Sequence, residues 1–366
     1  MKIAIDLTSL SYHMTGIERY AACISEELIK IDTDNEYILV FRNEIYESFL
    51  PYVDKNNVSI VVTKGKNKII FSQIILPITL YGMDADVFLF LAFTNPILFK
   101  KGIMINTIHD MGPWDHPQAL DFIHKVYYRL NGFISAKFSY KIITVSFFSR
   151  DRIHEIFSIP LEKINVAYSA VSNQFKKEHY PAFYIIRDKY NIPEKYIMTL
   201  STLEPRKNMI LLLEAFSEIK DQVDYDLVLV GRKGWKMDEI LEKYNKDGRI
   251  HITGFVDDED VASLYKNAMS FVFPTLYEGF GLPPIEALSL GTPVISSDAA
   301  SMPEVLRKQA VFFKSNDKQE LSELLLNLKK NVDDMPHELD EFQRKNYKFE
   351  ESARKILKII LRSFKK

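Results

Sequence analysis

The chain has 366 residues, of which 47% are hydrophobic and 26% charged, a composition typical of globular proteins and long enough for two domains with separate cores. Its 47 Lys and Arg residues nearly balance its 49 Asp and Glu residues, and the formal net charge is −2 at pH 7. This balance argues against the basic field of a general nucleic-acid-binding protein. We therefore expect a small or locally bound partner and no nucleic acid.

A single cysteine, Cys23, provides neither an internal disulfide nor a site with two Cys ligands, which fits a reducing cytoplasm. The first residues lack the apolar segment of a secretory signal. The longest uncharged stretch, 69–83, contains Pro77 and Gly82 and is shorter than the roughly 20 apolar residues of a membrane-spanning helix. We expect a soluble, cytoplasmic protein, with peripheral contact at the inner face of the membrane as an alternative.

Short β-branched apolar runs alternate with helical patterns along the first half, which is typical of α/β proteins with parallel sheets. The predicted strands are Lys2–Asp6, Glu36–Phe41, Val58–Val62, Val87–Leu91, Ile103–Ile108, Lys141–Val145 and Ile164–Val166. The main predicted helices are Ile17–Ile31, Gln118–Tyr140 and Ser149–Phe157.

The same alternation starts again in the second half, so we predict two Rossmann-like domains. The predicted strands are Tyr196–Leu200, Tyr225–Val230, Ile250–Thr253, Ser270–Pro274 and Pro293–Ser296. The predicted helices are Met209–Ile219, Lys236–Tyr244, Asp258–Asn267 and Pro283–Leu290.

The domain boundaries follow from the segment between the two alternating regions. Residues 173–194, with Pro181, Pro193 and mixed charges, are predicted to be a linker between a domain at 1–172 and a domain at 195–345. The basic residues and spaced apolar residues at about 346–366 predict an amphipathic helix that packs on the first domain. Binding of this tail to an anionic membrane is the alternative.

Doubly wound sheets bind ligands beyond the carboxyl ends of their strands. After the strand Ser270–Pro274 comes a loop with Gly279 and Gly281, then Pro283 and Pro284 at the predicted helix start. The free amides of such a helix start attract phosphate. Two carboxylates, Glu278 and Glu286, frame this segment, and we expect them to accept hydrogen bonds from sugar or ribose hydroxyls.

A basic pair, Arg206 and Lys207, follows the strand Tyr196–Leu200 just before a helix. The helix dipole disfavours cations at that position, so we expect an anionic ligand to compensate them. In the first half, His109 follows an apolar strand and Gly16 opens the first long helix. A sugar hydrogen bond or a proton transfer is the functional interpretation of His109, and close phosphate approach that of Gly16, but each residue also has an ordinary structural use.

Other motifs are absent or have a simpler explanation. The chain has no Gly-x-Gly-x-x-Gly, no P-loop and no Gly-x-Ser-x-Gly, which argues against a dinucleotide dehydrogenase, a P-loop NTPase and an α/β-hydrolase. The pair Asp84 and Asp86 precedes a strand rather than following one, so we expect a solvated turn and no metal site.

The segment from Tyr196 to about Leu306 resembles the retaining nucleotide-sugar glycosyltransferases of the GT-B fold, and among them glycosyltransferase family four, whose members belong to group 1. The matching elements are Glu278-x7-Glu286 with Gly-Phe-Gly-Leu between, Glu204-Pro-Arg-Lys-Asn208, Leu229-Val-Gly231, Thr253-Gly-Phe-Val256 and Pro303-Glu304-Val305. The resemblance implies two Rossmann-like domains that face each other across a deep cleft, with the donor bound by the second domain and the acceptor by the first.

The resemblance also implies roles for individual residues. Arg206 and Lys207 would neutralise the donor diphosphate. The backbone amides of Phe280, Gly281 and Leu282 would help them. Glu278 would hold the donor sugar and Glu286 the ribose, while backbone near Gly231 and Val256 would contact the base. Gly16 and His109 would complete the site from the first domain.

These implications predict a metal-independent, retaining hexosyltransferase of cell-surface polysaccharide biosynthesis such as that of lipopolysaccharide. GDP-mannose is the favoured donor over a UDP- or dTDP-sugar, and the acceptor is a glycan or a lipid-linked glycan. No further cofactor is expected. A sugar-nucleotide epimerase of the same architecture and a non-catalytic nucleotide-sugar-binding subunit are the alternatives.

Overall fold

The computed structural model describes residues 1–12, 14–92, 95–117, 122–176, 179–232, 234, 242–244 and 247–365. The chain divides into unit 1, Met1–Ala170 with Lys345–Lys366, and unit 2, Val171–Arg344. Each unit contains a parallel sheet with helices in the connections, so the predicted α/β class with two Rossmann-like domains is confirmed.

Unit 1 contains, in its described residues, a seven-stranded sheet in the order β3-β2-β1-β4-β5-β6-β7. The strands are β1 Lys2–Asp6, β2 Glu36–Arg42, β3 Val58–Thr63, β4 Val87–Phe90, β5 Ile103–Thr107, β6 Lys141–Thr144 and β7 Ile164–Val166. The helices are α1 Gly16–Ile31, α2 Lys68–Ile70, α3 Leu76–Tyr81, α4 Gly112–Asp115, α5 Phe122–Phe138 and α6 Phe147–Phe157. A π-helical turn, Phe71–Ile75, joins α2 to α3, and 3₁₀ turns cover Glu47–Tyr52 and Leu161–Lys163.

Unit 2 contains, where the structure describes it, a six-stranded sheet in the order β10-β9-β8-β11-β12-β13. The strands are β8 Tyr196–Leu200, β9 Asp226–Val230, β10 Ile250–Gly254, β11 Ser270–Phe273, β12 Val294–Ser297 and β13 Val311–Phe313. The helices are α7 Phe183–Tyr190, α8 Met209–Ile219, α9 Asp258–Asn267, α10 Leu282–Ser289, α11 Met302–Leu306, α12 Lys318–Leu326, α13 Leu328–Asn331 and α14 Glu341–Asn346. The 3₁₀ turns are Asn173–Lys176, Pro205–Lys207, Lys220–Gln222 and Val332–Asp334.

The strands of unit 2 form because they are apolar on both faces, as central strands of a parallel sheet must be. All four residues of β11 are buried, as are four of the five residues of β9. The pairing is parallel and in register, with Phe271 of β11 opposite Met198 of β8. Apolar residues of α8 and α12 cover one face of this sheet and form a core with Val272 and Ile295.

The predicted strands agree with the observed ones to within one residue at each end. The start of the predicted helix Gln118–Tyr140 and most of the predicted helix Lys236–Tyr244 lie outside the described residues. Sequence reasoning missed the helices between 68 and 81 and the last strand, β13. Pro77 is the second residue of α3, directly after the π turn, and the helical stretch runs through it.

Residues 173–194, predicted to be a linker, lie in unit 2 and contain α7. The ammonium group of Lys189 on this helix contacts Asp260 of α9 at 2.7 Å, and the Tyr190 hydroxyl donates to the same carboxylate at 2.8 Å. These bonds attach the segment to unit 2, because they join α7 to the helix that follows β10.

The C-terminal helix, α15 Phe349–Phe364, belongs to unit 1. Its Ser352 hydroxyl donates to the Tyr168 carbonyl at 2.6 Å, and its Ile356 and Ile360 are fully buried. The side of this helix that carries Ile356 and Ile360 is therefore covered by unit 1. Among the described residues, no helix is both long enough and apolar enough to cross a bilayer.

Replacing Ile356 by Ala should lower the free energy of unfolding by about 2–4 kcal/mol, because it leaves a cavity between the tail and unit 1. Leu361→Ala on the same helix is the matched control, since Leu361 is exposed and its loss should cost less than about 1 kcal/mol. Urea unfolding of both variants provides the measurement. Equal losses would contradict the packing of α15 described here.

Candidate functional site

Two loops of unit 2 leave the carboxyl ends of neighbouring strands where the strand order reverses. β8 pairs with β9 on one side and with β11 on the other. The strands therefore continue outward from β8 in both directions, toward β10 on one side and toward β13 on the other. Such a reversal opens a crevice between the loops, which is the usual ligand position in doubly wound sheets. The loops are 201–208 after β8 and 274–281 after β11.

A buried charge cluster joins these two loops. The Lys207 ammonium group contacts Glu278 Oε1, and the Arg206 guanidinium lies 3.5 Å from Glu278 Oε2. The three side chains are only 20%, 12% and 13% exposed, in the order Arg206, Lys207 and Glu278. The structure thus brings together the three residues that the sequence places at two separate strand ends.

Arg206 also holds the loops together through the backbone. Its guanidinium donates to the Tyr277 carbonyl at 2.8 Å and to Glu204 Oε1 at 2.8 Å, while its own carbonyl accepts the Leu276 amide at 2.9 Å. The guanidinium therefore has a structural task in addition to any contact with a ligand. Its fork of donors fits this arrangement, because a planar cation can satisfy a carbonyl and a carboxylate at once.

The charges of the cluster control the ionisation of Glu278. Burial raises the pKa of Glu278, but the charges of Lys207 and Arg206 and their hydrogen bonds outweigh it, and the net pKa lies below the usual value of 4.5. Glu278 is accordingly a carboxylate at neutral pH and accepts hydrogen bonds only.

The basic pair is compensated by carboxylates of the protein itself. We expected an anionic ligand to offset the cost of Arg206 and Lys207 beside a helix start, whereas Glu204 and Glu278 already do so in the structure. The pair also lies in the 3₁₀ turn Pro205–Lys207, one residue before α8. An anion bound here would compete with Glu278 for the two cations.

Position 231 requires glycine because neighbouring backbone lies very close to it. Its φ is +135°, and a Cβ at this position would lie 1.9 Å from the carbonyl oxygen of Ser201. The amide of Gly231 donates to the Gly254 carbonyl at 2.8 Å, which joins the ends of β9 and β10. The side chain of Val256, just beyond, is buried.

The segment 279–282 leads from Glu278 into α10. Gly281 has φ +84°, a backbone conformation that favours glycine, and a Cβ on it would also displace the terminal methyl group of the buried Met302. Gly279 and Phe280 are buried, and Leu282 is the first residue of α10. The Ser301 hydroxyl donates to the Glu278 carbonyl at 2.9 Å and steadies the segment.

Glu286 lies within α10 and is buried, with the Tyr265 hydroxyl 3.4 Å from its Oε2. The carbonyl of Tyr265 in turn accepts the Thr292 hydroxyl at 2.7 Å. The Tyr265 hydroxyl is thus a polar partner of the buried Glu286 carboxylate. Contact with a ribose stays a prediction.

His109 and Gly16 lie in unit 1. His109 follows β5, and its Nε2 donates to the Leu91 carbonyl at 2.9 Å, directly after β4. Burial lowers the pKa of His109, so the ring is neutral at pH 7 with its proton on Nε2. Gly16 is the first residue of α1, where the Glu18 carboxylate accepts the Thr15 amide at 2.8 Å. A carboxylate already occupies this helix start, and phosphate contact at Gly16 stays a prediction.

The family model described as "Glycosyl transferases group 1" matches residues 184–346 of this chain. Residues 184–346, called here the group 1 domain, are similar to the glycosyl transferases of group 1. Its bounds contain the charge cluster, Gly231 and Glu286.

Two curated proteins are similar over larger parts of the chain. O-antigen chain mannosyltransferase B of Escherichia coli is 29% identical over 351 residues, which is 89% of this chain and 90% of that protein. O-antigen chain mannosyltransferase RfbU of Salmonella typhimurium is 30% identical over 255 residues, which is 68% of this chain and 65% of that protein.

Solved structures share the fold over nearly the whole length. A glycosyltransferase from Rickettsia africae is 18% identical with a TM-score of 0.71, covering 100% of this chain and 98% of that chain. Anabaena HepE, solved with UDP and glucose, is 14% identical with a TM-score of 0.73, covering 98% and 99%. At these identities the likeness establishes the fold alone, which is that of the GT-B glycosyltransferases.

Sequence reasoning assigned no role to several residues that build the site of the group 1 domain. Glu204 is the partner of Arg206, and Ser301 and Met302 fix the backbone of 278–281. Glu204 lies two residues before Arg206, and this short spacing could have indicated an ion pair between the two side chains. Ser301 lies in the turn after β12 and Met302 is the first residue of α11, and no local pattern points to them.

Gly231→Ala should destabilise the group 1 domain by more than about 2 kcal/mol beyond the cost of Gly254→Ala. Both glycines have positive φ, but a Cβ at Gly254 meets nothing within 4 Å, whereas one at Gly231 collides with backbone. Urea unfolding without any ligand tests this, and equal losses would contradict the backbone explanation of Gly231.

Glu278→Gln should lower the free energy of unfolding by about 3 kcal/mol at pH 7, because it leaves a buried cation unpaired. The pKa of Glu278 is lower in the folded than in the unfolded chain, so its stabilisation is full above about pH 4.5 and is lost as pH falls through the folded-state pKa. The difference between wild type and Glu278→Gln should therefore shrink as pH falls below about 4.5.

Unfolding curves between neutral and acid pH test this, with Glu194→Gln, an exposed site, as the control for loss of one charge. A difference that is constant or that grows toward low pH would contradict the ion pairing of Glu278.

Proposed function

We propose that the chain is a retaining, metal-independent glycosyltransferase that moves a mannosyl unit from GDP-mannose to a glycan or lipid-linked glycan in cell-surface polysaccharide biosynthesis. The observation that carries the proposal is the cluster of Arg206, Lys207 and Glu278 at the reversal point of the unit 2 sheet, beside the start of α10. The group 1 domain description covers these three residues.

The two cations suit the leaving group of such a reaction. Departure of a nucleoside diphosphate from the anomeric carbon builds negative charge, and positioned donors that meet this charge lower the barrier. Lys207 offers a compact ammonium group and Arg206 a guanidinium, and the amides at the start of α10 add further donors. No metal ion is needed for this charge stabilisation.

Glu278 suits the sugar end of the donor. As a carboxylate it accepts hydrogen bonds from hydroxyls, and it is tied to both cations that would hold the diphosphate. In the free protein Glu278 neutralises Lys207. When a diphosphate enters, Lys207 turns its donors toward phosphate oxygens, and Glu278 becomes free to accept the hydroxyls of the sugar.

Mannose is proposed because two relatives that align with most of this chain carry the names of O-antigen mannosyltransferases. GDP-mannose is proposed as the donor on the resemblance of the sequence alone, with UDP- and dTDP-sugars as the next choices. A glycan acceptor is proposed because the same two names refer to the O-antigen chain. Retention by front-face attack of the acceptor hydroxyl is proposed because we assign no carboxylate as a nucleophile. Roles for His109 and Gly16 of unit 1 stay predictions.

Purified protein should transfer mannose from GDP-mannose to mannose-containing oligosaccharides, with an α-linked product by NMR and no loss of rate in EDTA. Lys207→Gln should lower kcat by about 10²–10³-fold, because it removes one positioned donor from the leaving diphosphate. Glu194→Gln in an exposed turn should transfer at the wild-type rate.

Each result that would contradict the proposed function indicates a different alternative. A changed sugar nucleotide without acceptor indicates an epimerase, and donor binding without turnover indicates a binding subunit. A β-linked product contradicts retention. Wild-type kcat in a folded Lys207→Gln variant contradicts the role of the cluster.

A further inference from the structure

Unit 1 has a strand reversal of its own, and an exposed aromatic side chain lies on a loop beside it. β1 pairs with β2 on one side and with β4 on the other, so the carboxyl end of β1 is an expected ligand position of this sheet. The loop after β1 carries Tyr12, which is 78% exposed, and the loop after β2 carries Glu44 and Tyr46. A single exposed aromatic residue is ordinary, so its surroundings decide whether it has a task.

The Tyr12 side chain is held in place from two sides. Its hydroxyl donates to Glu44 Oε2 at 2.9 Å, and its ring centre lies 5.7 Å from that of Tyr46, with 62° between the ring planes. The Tyr46 ring in turn lies 6.4 Å from the ring of the fully buried Phe41, centre to centre. The Tyr46 hydroxyl donates to the Leu10 carbonyl in the loop after β1. Tyr12 is therefore connected to the core of unit 1, while most of its own surface stays in water.

An exposed ring that is held in this way costs free energy in the protein alone. Fixing the side chain removes rotamer entropy, and a ring that remains in water gains little hydrophobic free energy in return. A ligand that covers the ring would provide that gain, and it would meet a side chain already in position. We therefore interpret Tyr12 as part of a binding site.

The chemistry beside the ring favours a neutral sugar. A hexose has a face of C–H groups, which packs well on the negative face of an aromatic ring, and its rim carries hydroxyls. Glu44 Oε1 has no hydrogen-bond partner within the part of the chain that the structure describes, and it can accept such a hydroxyl.

The same surroundings are unsuited to phosphate. The loops 7–15 and 43–46 contain no Lys or Arg in their sequence. The neighbouring cation at the end of β2, Arg42, lies over the Phe71 ring, with its guanidinium carbon 5.7 Å from the ring centre. A phosphate on these loops would meet the Glu44 carboxylate, which repels it.

We propose that Tyr12 and Glu44 form a binding site for a neutral sugar residue of the acceptor glycan, with the ring packed on the sugar face and the carboxylate accepting a hydroxyl. This site rests on the proposed function and adds which part of the acceptor is recognised, namely a sugar of the glycan rather than the diphosphate of a lipid carrier. Neither residue belongs to the elements that resemble the glycosyltransferase family.

Titration of the full chain with neutral trisaccharides of mannose, glucose or galactose, followed by saturation-transfer NMR without donor, tests the site. At least one trisaccharide should bind wild type. Tyr12→Ala should weaken that binding about tenfold because the ring face is lost, and Tyr12→Phe less than about threefold because the ring remains. Glu44→Gln should weaken it about fivefold, since an amide is a weaker acceptor than a carboxylate.

Tyr184→Ala is the matched control, because Tyr184 is 64% exposed and lies on α7 of unit 2. It should bind the trisaccharide as wild type does, and all these exposed substitutions should leave the melting temperature nearly unchanged. The sugar site is overturned if no trisaccharide binds wild type, or if folded Tyr12→Ala binds as well as wild type. Weaker binding of geranyl diphosphate to Tyr12→Ala would assign the ring to a lipid carrier and overturn it as well.

Turnover separates the sugar site from the proposed function. Tyr12→Ala should raise the KM for the acceptor about tenfold and leave kcat and the KM for the donor unchanged, because it removes binding that the ground state and the transition state share. An unchanged acceptor KM overturns the sugar site while the transferase stands. Trisaccharide binding without any transfer by wild type contradicts the proposed function, while binding at Tyr12 stands.

Discussion

The ion pair between Lys207 and Glu278 is the interaction on which the arrangement of unit 2 depends. It joins two loops that leave neighbouring strands in a parallel sheet, and Arg206 strengthens the joint by binding the Tyr277 carbonyl and Glu204. Each charge is largely removed from water and is satisfied by the other, so neither is stable there alone. A site made in this way needs no ligand to pair its charges, and it contains two cations that an entering anion can recruit.

Much of this site is encoded in local sequence. The buried strands have apolar runs long enough to give their bounds within one residue, and parallel strands place their carboxyl ends on one edge. Arg206, Lys207 and Glu278 each follow such a strand, so their proximity could be predicted from strand order. The pairing of the cations with Glu278 could not, because it depends on the side-chain conformations of two loops.

Other features depend on contacts between distant parts of the chain. Gly231 looks like a residue that lets a ligand approach, but the carbonyl of Ser201 already fills the space beside it. Gly281 has a positive φ and contacts the Met302 side chain, which comes from the start of α11. The short strand β13 and the helices between 68 and 81 lack a clear local period, the latter because a π turn interrupts them.

The proposed function places the donor diphosphate on unit 2. This unit contains the charge cluster and all but the last two residues of the group 1 domain, while unit 1 contains the neutral His109.

The most direct measurement compares the binding of GDP and of guanosine to wild type and to Lys207→Gln by calorimetry. If Lys207 turns from Glu278 to the diphosphate, the substitution should weaken GDP about 10- to 100-fold, the usual value of a charged hydrogen bond, and leave guanosine nearly unchanged. An equal change for both ligands, or no change for GDP, would contradict a diphosphate site at this ion pair.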